Sequence, residues 1–229
     1  MKKILSLLLV FAMMVTLAVT VSAEETTTYE LKVAGVPVTD VNKDDITAAI
    51  TAAGGTADGT ATYDPVTNTL TLDNFSCSSD AFAGVIHVNS GDITIKLKGN
   101  NTLTGTGEYT DGISSNGNLA ICNGEDGVAQ GQLTINTETS CINVPLGTLN
   151  ITGGTITGGK AATVGGNVRV SGPLTISGGV ITGGYAGNNG GNIHGNKDVT
   201  VTGGLITDGD GKGIAGAQLV QVGEELGPG

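Results

Sequence analysis

The stretch LNITGGTITGG at residues 149–159 returns as LTISGGVITGG at 174–184 and as VTVTGGLITDG at 199–209. The three copies begin at Leu149, Leu174 and Val199, so they are evenly spaced along the chain. A fixed period of this length is typical of a solenoid, in which each repeat forms one coil and stacks on its neighbours. Within each copy, apolar and polar residues alternate on both sides of a Gly-Gly pair. This pattern predicts a strand, a sharp bend and a second strand.

The repeat continues upstream with less regular spacing. Ile95 and Leu97 precede Leu119 and Ile121 by slightly less than one period, which aligns Ile95 with Leu119. The next interval, from Leu119 to Leu149, is longer than one period. It contains the polar segment NGEDGVAQG at 123–131, which we interpret as a surface loop.

A second set of apolar residues lies at a constant distance along the chain from the first. Ile113, Val168 and Ile193 each precede an L-x-I strand by six residues, so each coil is expected to contain about three short strands. Parallel strands joined by crossovers are almost always right-handed. The sequence therefore predicts an all-β protein, a right-handed parallel β-helix of about five coils. In this arrangement Ile176 points inward and Thr175 outward.

The segment before the coils has a different character. VNKDDITAAITAAGG at 41–55 has acidic residues before an apolar-periodic run and glycines after it, which predicts a short helix. GTATYDPVTNTLTLDNF at 59–75 alternates on both sides of DPVTN, which predicts a hairpin. With the strand before the helix, these elements predict an N-terminal cap over residues 24–80, followed by the β-helix over 81–222 and an irregular tail over 223–229.

Residues 1–23, MKKILSLLLVFAMMVTLAVTVSA, have the pattern of a secretory signal peptide. Two lysines precede an apolar run, and small residues end at Ala23. An uncleaved membrane anchor is the alternative, because the apolar run is long enough to be marginal for a membrane span. We expect cleavage and a secreted or cell-surface protein with no membrane insertion afterwards.

The net charge of the chain excludes some classes of binding partner. The full chain of 229 residues has a net charge of −11, and removal of Lys2 and Lys3 with the leader changes it to −13. A chain this acidic is repelled by nucleic acid phosphates and by anionic membranes. We therefore expect no nucleic acid partner. The chain has three cysteines, Cys77, Cys122 and Cys141, whose spacing assigns no disulfide.

The predicted cap and coils resemble a known family. ELKVAGVPVTDVN at 30–42 and TATYDPVTNTLTLDN at 60–74, together with coils such as LTISGGVITGG, are similar to exported β-helix proteins of anaerobic Gram-positive bacteria, often described as carbohydrate-binding domain-containing proteins. The resemblance covers most of residues 29–215. It implies the β-helix fold and polysaccharide binding, and it supplies no catalytic motif that maps onto this chain.

The candidate binding residues are few. Tyr109 and Tyr185 lie in glycine-rich corners, where an exposed ring could stack on a sugar, although plain loop tyrosines fit the same pattern. Arg169 alternates with two valines and is expected to point outward as an ordinary solvated residue. His87 and His194 each stand alone beside a strand and are expected at the surface.

Calcium is the one cofactor that the sequence suggests. DGDGKG at 208–213 begins like a carboxylate loop, with Asp208 and Asp210 as candidate metal ligands. The EF-hand pattern fails, however, at Lys212 and at Leu219, where an acidic residue or asparagine and a glutamate are required.

Three functions from different classes remain. The first is a noncatalytic exported module that binds polysaccharide or a cell-surface glycan through a polar lateral face. The second is a structural or adhesive surface protein without a small ligand. The third is a polysaccharide-degrading enzyme of the pectate lyase type. The tail GEELGPG cannot continue the coils, which predicts end-to-end self-association through the last rung or a longer natural chain.

Overall fold

The computed structural model describes residues 25–124, 130–162, 164–207, 209–210, 214–215 and 219–221. The predicted leader and the predicted tail lie outside these residues. The described chain is nearly all β, and its parallel strands stack into a β-solenoid of about five turns, which confirms the predicted architecture. No helix among the described residues combines the length and apolar character that a membrane crossing needs.

The cap begins with an antiparallel pair, β1 (Thr28–Val33) and β2 (Val36–Thr39). The predicted helix follows as α1 (Ile46–Ala52). Its N-cap is Asp45, whose side chain accepts a hydrogen bond of 2.9 Å from the backbone N–H of Ala48. The helix turns its isoleucines into the core, where both are fully buried. The acidic start that the sequence predicts is therefore an N-cap.

The predicted hairpin consists of β3 (Thr56–Asp64) and β4 (Thr69–Ser79), which pair antiparallel. Strand β4 also belongs to the solenoid. Its first half pairs parallel with residues 94–98 and its second half with residues 102–105. The parallel ladder therefore begins at Thr69, before the boundary at residue 81 that the repeat pattern predicts.

The solenoid has three faces. The first face continues from β4 through a ladder of parallel strands. These strands are β6 (Ile93–Lys98), β9 (Leu119–Asn123), β12 (Leu149–Ile151), β16 (Leu174–Thr182), β19 (Val199–Thr207) and β21 (Leu219–Gln221).

The second face uses the second halves of β4, β16 and β19, because these long strands bend from one face to the next. Three further strands complete it: β7 (Asn100–Gly105), β10 (Gln132–Asn136) and β13 (Thr155–Gly158).

The third face is closed at its N-terminal edge by β1, which pairs antiparallel with β5. Its parallel strands are β5 (Ala83–Val88), β8 (Thr110–Ser115), β11 (Ile142–Val144), β15 (Val168–Val170), β18 (Ile193–Gly195) and β20 (Ile214–Ala215). Two short strands, β14 (Lys160–Ala161) and β17 (Tyr185–Ala186), pair with each other between the second and third faces.

Each turn begins on the first face and ends on the third. The first turn runs from β4 to β5, the second from β6 to β8, the third from β9 to β11, the fourth from β12 to β15 and the fifth from β16 to β18. Neighbouring turns are separated by the spacing of hydrogen-bonded strands, about 4.8 Å.

The repeated phrase stacks in the predicted register. Leu149 pairs with Leu174, and Leu174 pairs with Val199. Ile176 is 1% exposed, whereas Thr175 is partly exposed. The second apolar set is also confirmed, since Ile113, Ile142, Val168 and Ile193 follow one another across the third face.

One predicted alignment is wrong. Leu119 pairs with Ile93 rather than with Ile95, and Ile121 pairs with Ile95 rather than with Leu97. Strand β6 alternates three inward apolar residues, Ile93, Ile95 and Leu97. A slip of two residues keeps every side chain on its own face, so the hydrophobic pattern alone cannot detect it.

The Gly-Gly bends are confirmed as tight corners. Gly154, Gly179 and Gly204 have φ values of +90°, +87° and +87°, in the region that favours glycine. A Cβ at Gly179 would lie 2.6 Å from the carbonyl oxygen of Gly154. The column of glycines thus serves both the backbone conformation and the close stacking of turns.

A buried asparagine ladder fills the corner before β15 and β18. Asn167 and Asn192 are 0% and 2% exposed, and Nδ2 of Asn167 donates to Oδ1 of Asn192 at 2.8 Å. Asn167 also donates to the carbonyl oxygen of Thr182. Asn192 accepts from the N–H of Gly184 and donates to the carbonyl oxygen of Thr207. These amides satisfy backbone groups where the strands end.

The three cysteines are free. Burial raises the pKa of Cys77 to about 12 and raises that of Cys141 as well. Cys141 lies at the end of the asparagine ladder, with Sγ 3.4 Å from Oδ1 of Asn167. Since the thiolate is the reactive form, burial disfavours nucleophilic reactivity at these two thiols.

Candidate functional site

An open groove of about 660 Å³ runs along the edge between the second and third faces. We call it the aromatic groove. Its aromatic and polar lining includes Phe82, Glu108, Tyr109, Asp111, Glu138, Asn143 and Arg169. These residues come from four successive turns, so the groove follows the axis of the solenoid over three rung spacings, about 14 Å.

Two exposed aromatic residues line the groove. Phe82 is 83% exposed and Tyr109 is 64% exposed. They belong to adjacent turns, because they directly precede Ala83 and Thr110, which pair across β5 and β8. The Thr110 hydroxyl donates to the carbonyl oxygen of Ala81 at 3.0 Å and links the two ring-bearing segments. Large exposed aromatic side chains of this kind are typical of binding surfaces.

The groove also contains a partly buried carboxyl group. Asn143 Nδ2 donates to Oδ2 of Asp111 at 2.8 Å across the two turns. Burial raises the pKa of Asp111 above its ordinary value, and the hydrogen bond from Asn143 and the positive charge of Arg169 oppose that rise. Asp111 is thus a carboxyl group held away from water beside a polar partner.

Two further carboxylates are exposed along the groove. Glu108 precedes Tyr109 in the second turn, and Glu138 lies in the third turn, before β11. Arg169 is exposed in the fourth turn, where it pairs with Asn143 on one side and His194 on the other. The prediction that Arg169 points outward is confirmed, and its position in the ladder puts it on the groove.

Asp111 provides a test of the electrostatics. A carboxyl group with a raised pKa in the folded state contributes stability below its unfolded pKa, and this contribution is lost as the pH rises through the folded pKa. We therefore expect Asp111→Asn to be at least as stable as the wild type at neutral pH, with an advantage that shrinks toward pH 3. Urea unfolding of both proteins across this range measures the difference. A variant that is less stable at neutral pH and equal at acidic pH contradicts the assignment.

The second predicted tyrosine lies outside the aromatic groove. Tyr185 is 45% exposed and borders a separate depression of about 480 Å³, together with Lys160 and Glu138. Glu138 lines both features. The structure therefore puts Tyr109 and Tyr185 on either side of Glu138 rather than in one site.

Of the two candidate calcium ligands, only Asp210 lies among the residues that the structure describes. Asp208 lies outside the described residues. Asp210 is exposed and forms a parallel bridge with Tyr185 in the preceding turn. In the part of the chain that the structure describes, no three His, Cys, Asp or Glu side chains converge in a way that could hold a metal ion.

Both histidines belong to the outward ladder of the third face. His87 pairs with Ser114, and His194 pairs with Arg169. Each side chain is only partly exposed, because its Nδ1 is shielded from solvent. Burial lowers the pKa of His87. The prediction of surface histidines thus holds for their face of the strand, although both side chains are half-buried rather than fully exposed.

Sequence reasoning found Tyr109 and missed Phe82, Glu108, Asp111 and Glu138 as members of one site. Phe82 follows SSDA in a polar corner, which is a visible signal by itself. Its relation to Tyr109 depends on the β5–β8 register, which joins segments one full turn apart in the chain. The L-x-I repeat carries no information on that pairing.

Comparison of this chain with models of known protein families, with curated proteins and with solved structures finds no match.

Proposed function

We propose that this protein is a noncatalytic, exported or cell-surface module that binds polysaccharide in the aromatic groove. One observation carries the proposal: the exposed rings of Phe82 and Tyr109, from adjacent turns, line one groove together with hydrogen-bonding groups. Aromatic rings offer flat apolar surface to the C–H face of a sugar, and polar groups nearby can bind its hydroxyls.

The shape of the groove supports a linear ligand. The groove follows the solenoid axis across four turns and has lining residues from each of them, so several sugar units of one chain can be held at once. Asp111 and Asn143 already orient each other through their hydrogen bond. Such pre-organised polar groups reduce the entropic cost of binding.

We expect the double variant Phe82→Ala/Tyr109→Ala to lose at least tenfold in affinity for the polysaccharide that the wild type binds, which corresponds to about 1.4 kcal/mol. The measurement is binding to an array of cellulose, xylan, galactomannan, pectin, chitin and chitosan, followed by titration calorimetry with the best ligand. Leu146→Ala is the control, because Leu146 is also highly exposed but does not line the groove.

The two alternative functions give different results in the same experiment. A structural or adhesive protein without a small ligand shows no saturable binding on the array. An enzyme of the lyase type releases unsaturated sugar from pectin, which absorbs in the ultraviolet. Wild-type binding that the double variant retains in full would contradict the proposed site.

The proposed export has its own test. Expression of the full chain in a Gram-positive host should yield secreted protein whose N-terminus is Glu24, which mass spectrometry of the medium fraction can identify. A product that retains residues 1–23 and stays with the membrane would support the uncleaved anchor instead.

A further inference from the structure

The charges of the aromatic groove point to the chemical class of its ligand; this inference rests on the proposed function. The groove contains three carboxyl groups and one guanidinium group: Glu108, Asp111, Glu138 and Arg169. Arg169 and Asp111 carry opposite charges and interact electrostatically, so these two charges offset each other. The negative charges of Glu108 and Glu138 are not offset in this way.

Neither of these glutamates is paired directly with a positively charged side chain among the described residues. Both are exposed. Since Arg169 offsets Asp111, the remaining negative charge of the groove lies on the exposed side chains of Glu108 and Glu138. A ligand that carries carboxylates of its own would be repelled there, both by these groups and by the net charge of the whole chain.

The aromatic rings also favour a positively charged ligand. The face of an aromatic ring attracts a cation within about 6 Å of its centre. Glu108 directly precedes Tyr109, and Glu138 lies in the next turn. Exposed rings bordered by carboxylates are the combination that binds an ammonium group, since the carboxylates accept charge-assisted hydrogen bonds from it.

We propose that the aromatic groove binds glycans that carry free amino groups, with Glu108 and Glu138 as the residues that recognise the ammonium groups. Amino sugars whose N-acetyl groups have been removed have this chemistry. N-acetylated sugars of the same skeleton lack the charge, and uronic acids have the opposite charge.

Three oligosaccharides of equal length test the proposal: oligomers of glucosamine, N-acetylglucosamine and galacturonic acid. Titration calorimetry in slightly acidic buffer, at ionic strengths from about 0.05 to 0.5 M, measures affinity and its salt dependence. We expect the glucosamine oligomer to bind at least tenfold more tightly than the N-acetylated oligomer, and the galacturonate oligomer to bind most weakly.

Matched variants assign the preference to the groove. Glu108→Gln/Glu138→Gln should abolish most of the preference for the glucosamine oligomer. Glu30→Gln, a change of an exposed glutamate in the cap, should leave the preference unchanged. Phe82→Ala/Tyr109→Ala keeps every charge of the protein, so its loss of binding separates the groove from general attraction of a cation to an acidic protein.

The outcomes distinguish this proposal from the proposed function. If the N-acetylated or galacturonate oligomer binds as tightly as the glucosamine oligomer and the ring variant abolishes binding, the groove binds glycans but the amino-sugar assignment is overturned. If the glutamine variant retains the full preference, the two glutamates are not its source and the assignment fails. If none of the three oligomers binds, the assignment also fails, and the polysaccharide array decides the proposed function separately.

Discussion

Ile176→Ala is expected to lower the free energy of unfolding by about 2–4 kcal/mol. Ile176 is 1% exposed and lies between Ile151 and Val201 in the column that stacks along the first face. Truncation leaves a cavity between two turns, and the neighbouring turns cannot close it without breaking their own hydrogen bonds. Urea unfolding monitored by circular dichroism measures the change.

Thr175→Ala is the matched control, since Thr175 is the adjacent residue on the same strand and points toward solvent. We expect its effect to stay below about 0.5 kcal/mol. Equal losses of stability in the two variants would contradict the inward and outward assignment of the whole repeat.

Asn192→Ala is expected to cost about 3–5 kcal/mol, because it removes one of the two amides of the asparagine ladder and takes hydrogen bonds away from buried polar groups. Three partners lose their hydrogen bonds: the side chain of Asn167, the N–H of Gly184 and the carbonyl oxygen of Thr207. Each buried polar group without a partner costs about 1–3 kcal/mol. The same unfolding experiment measures the loss.

Asn196→Ala tests whether asparagine matters only in the ladder. Asn196 lies four residues further along the chain and is exposed, with hydrogen bonds to side chains at the surface. Its replacement should change stability by less than about 0.5 kcal/mol. A loss as large as that of Asn192→Ala would show that the buried ladder has no special role.

The sequence predicts the solenoid well, because the core residues follow a local alternation of apolar and polar side chains. The alternation around Leu149, Leu174 and Val199 determines which side chains point inward, and a constant period brings like residues together. The helix and hairpin of the cap are equally local. The misalignment of Ile95 arises where the alternation is uniform and no glycine or insertion fixes the register.

The candidate site could be predicted only in part. Tyr109 is conspicuous as an aromatic residue in a glycine-rich corner. Asp111 and Asn143 come together only through the pairing of β8 with β11, 32 residues apart in the chain. The asparagine ladder is equally hidden, because Asn167 and Asn192 look like ordinary loop residues until the turns are stacked. The repeat pattern does not determine which residues pair between the first turns. Without that pairing, the members of the site cannot be brought together from the sequence.

The origin of the groove residues in different turns has a mechanical consequence. In a solenoid each turn contacts only its neighbours, so fraying of one turn is felt weakly two turns away. A glycan that touches Phe82 in the first turn, Glu138 in the third and Arg169 in the fourth would act as a brace between the first turn and two turns that are not its neighbours. Bound ligand would then make these turns exchange amide hydrogens as one cooperative unit, and it would dissociate when any one of them opens.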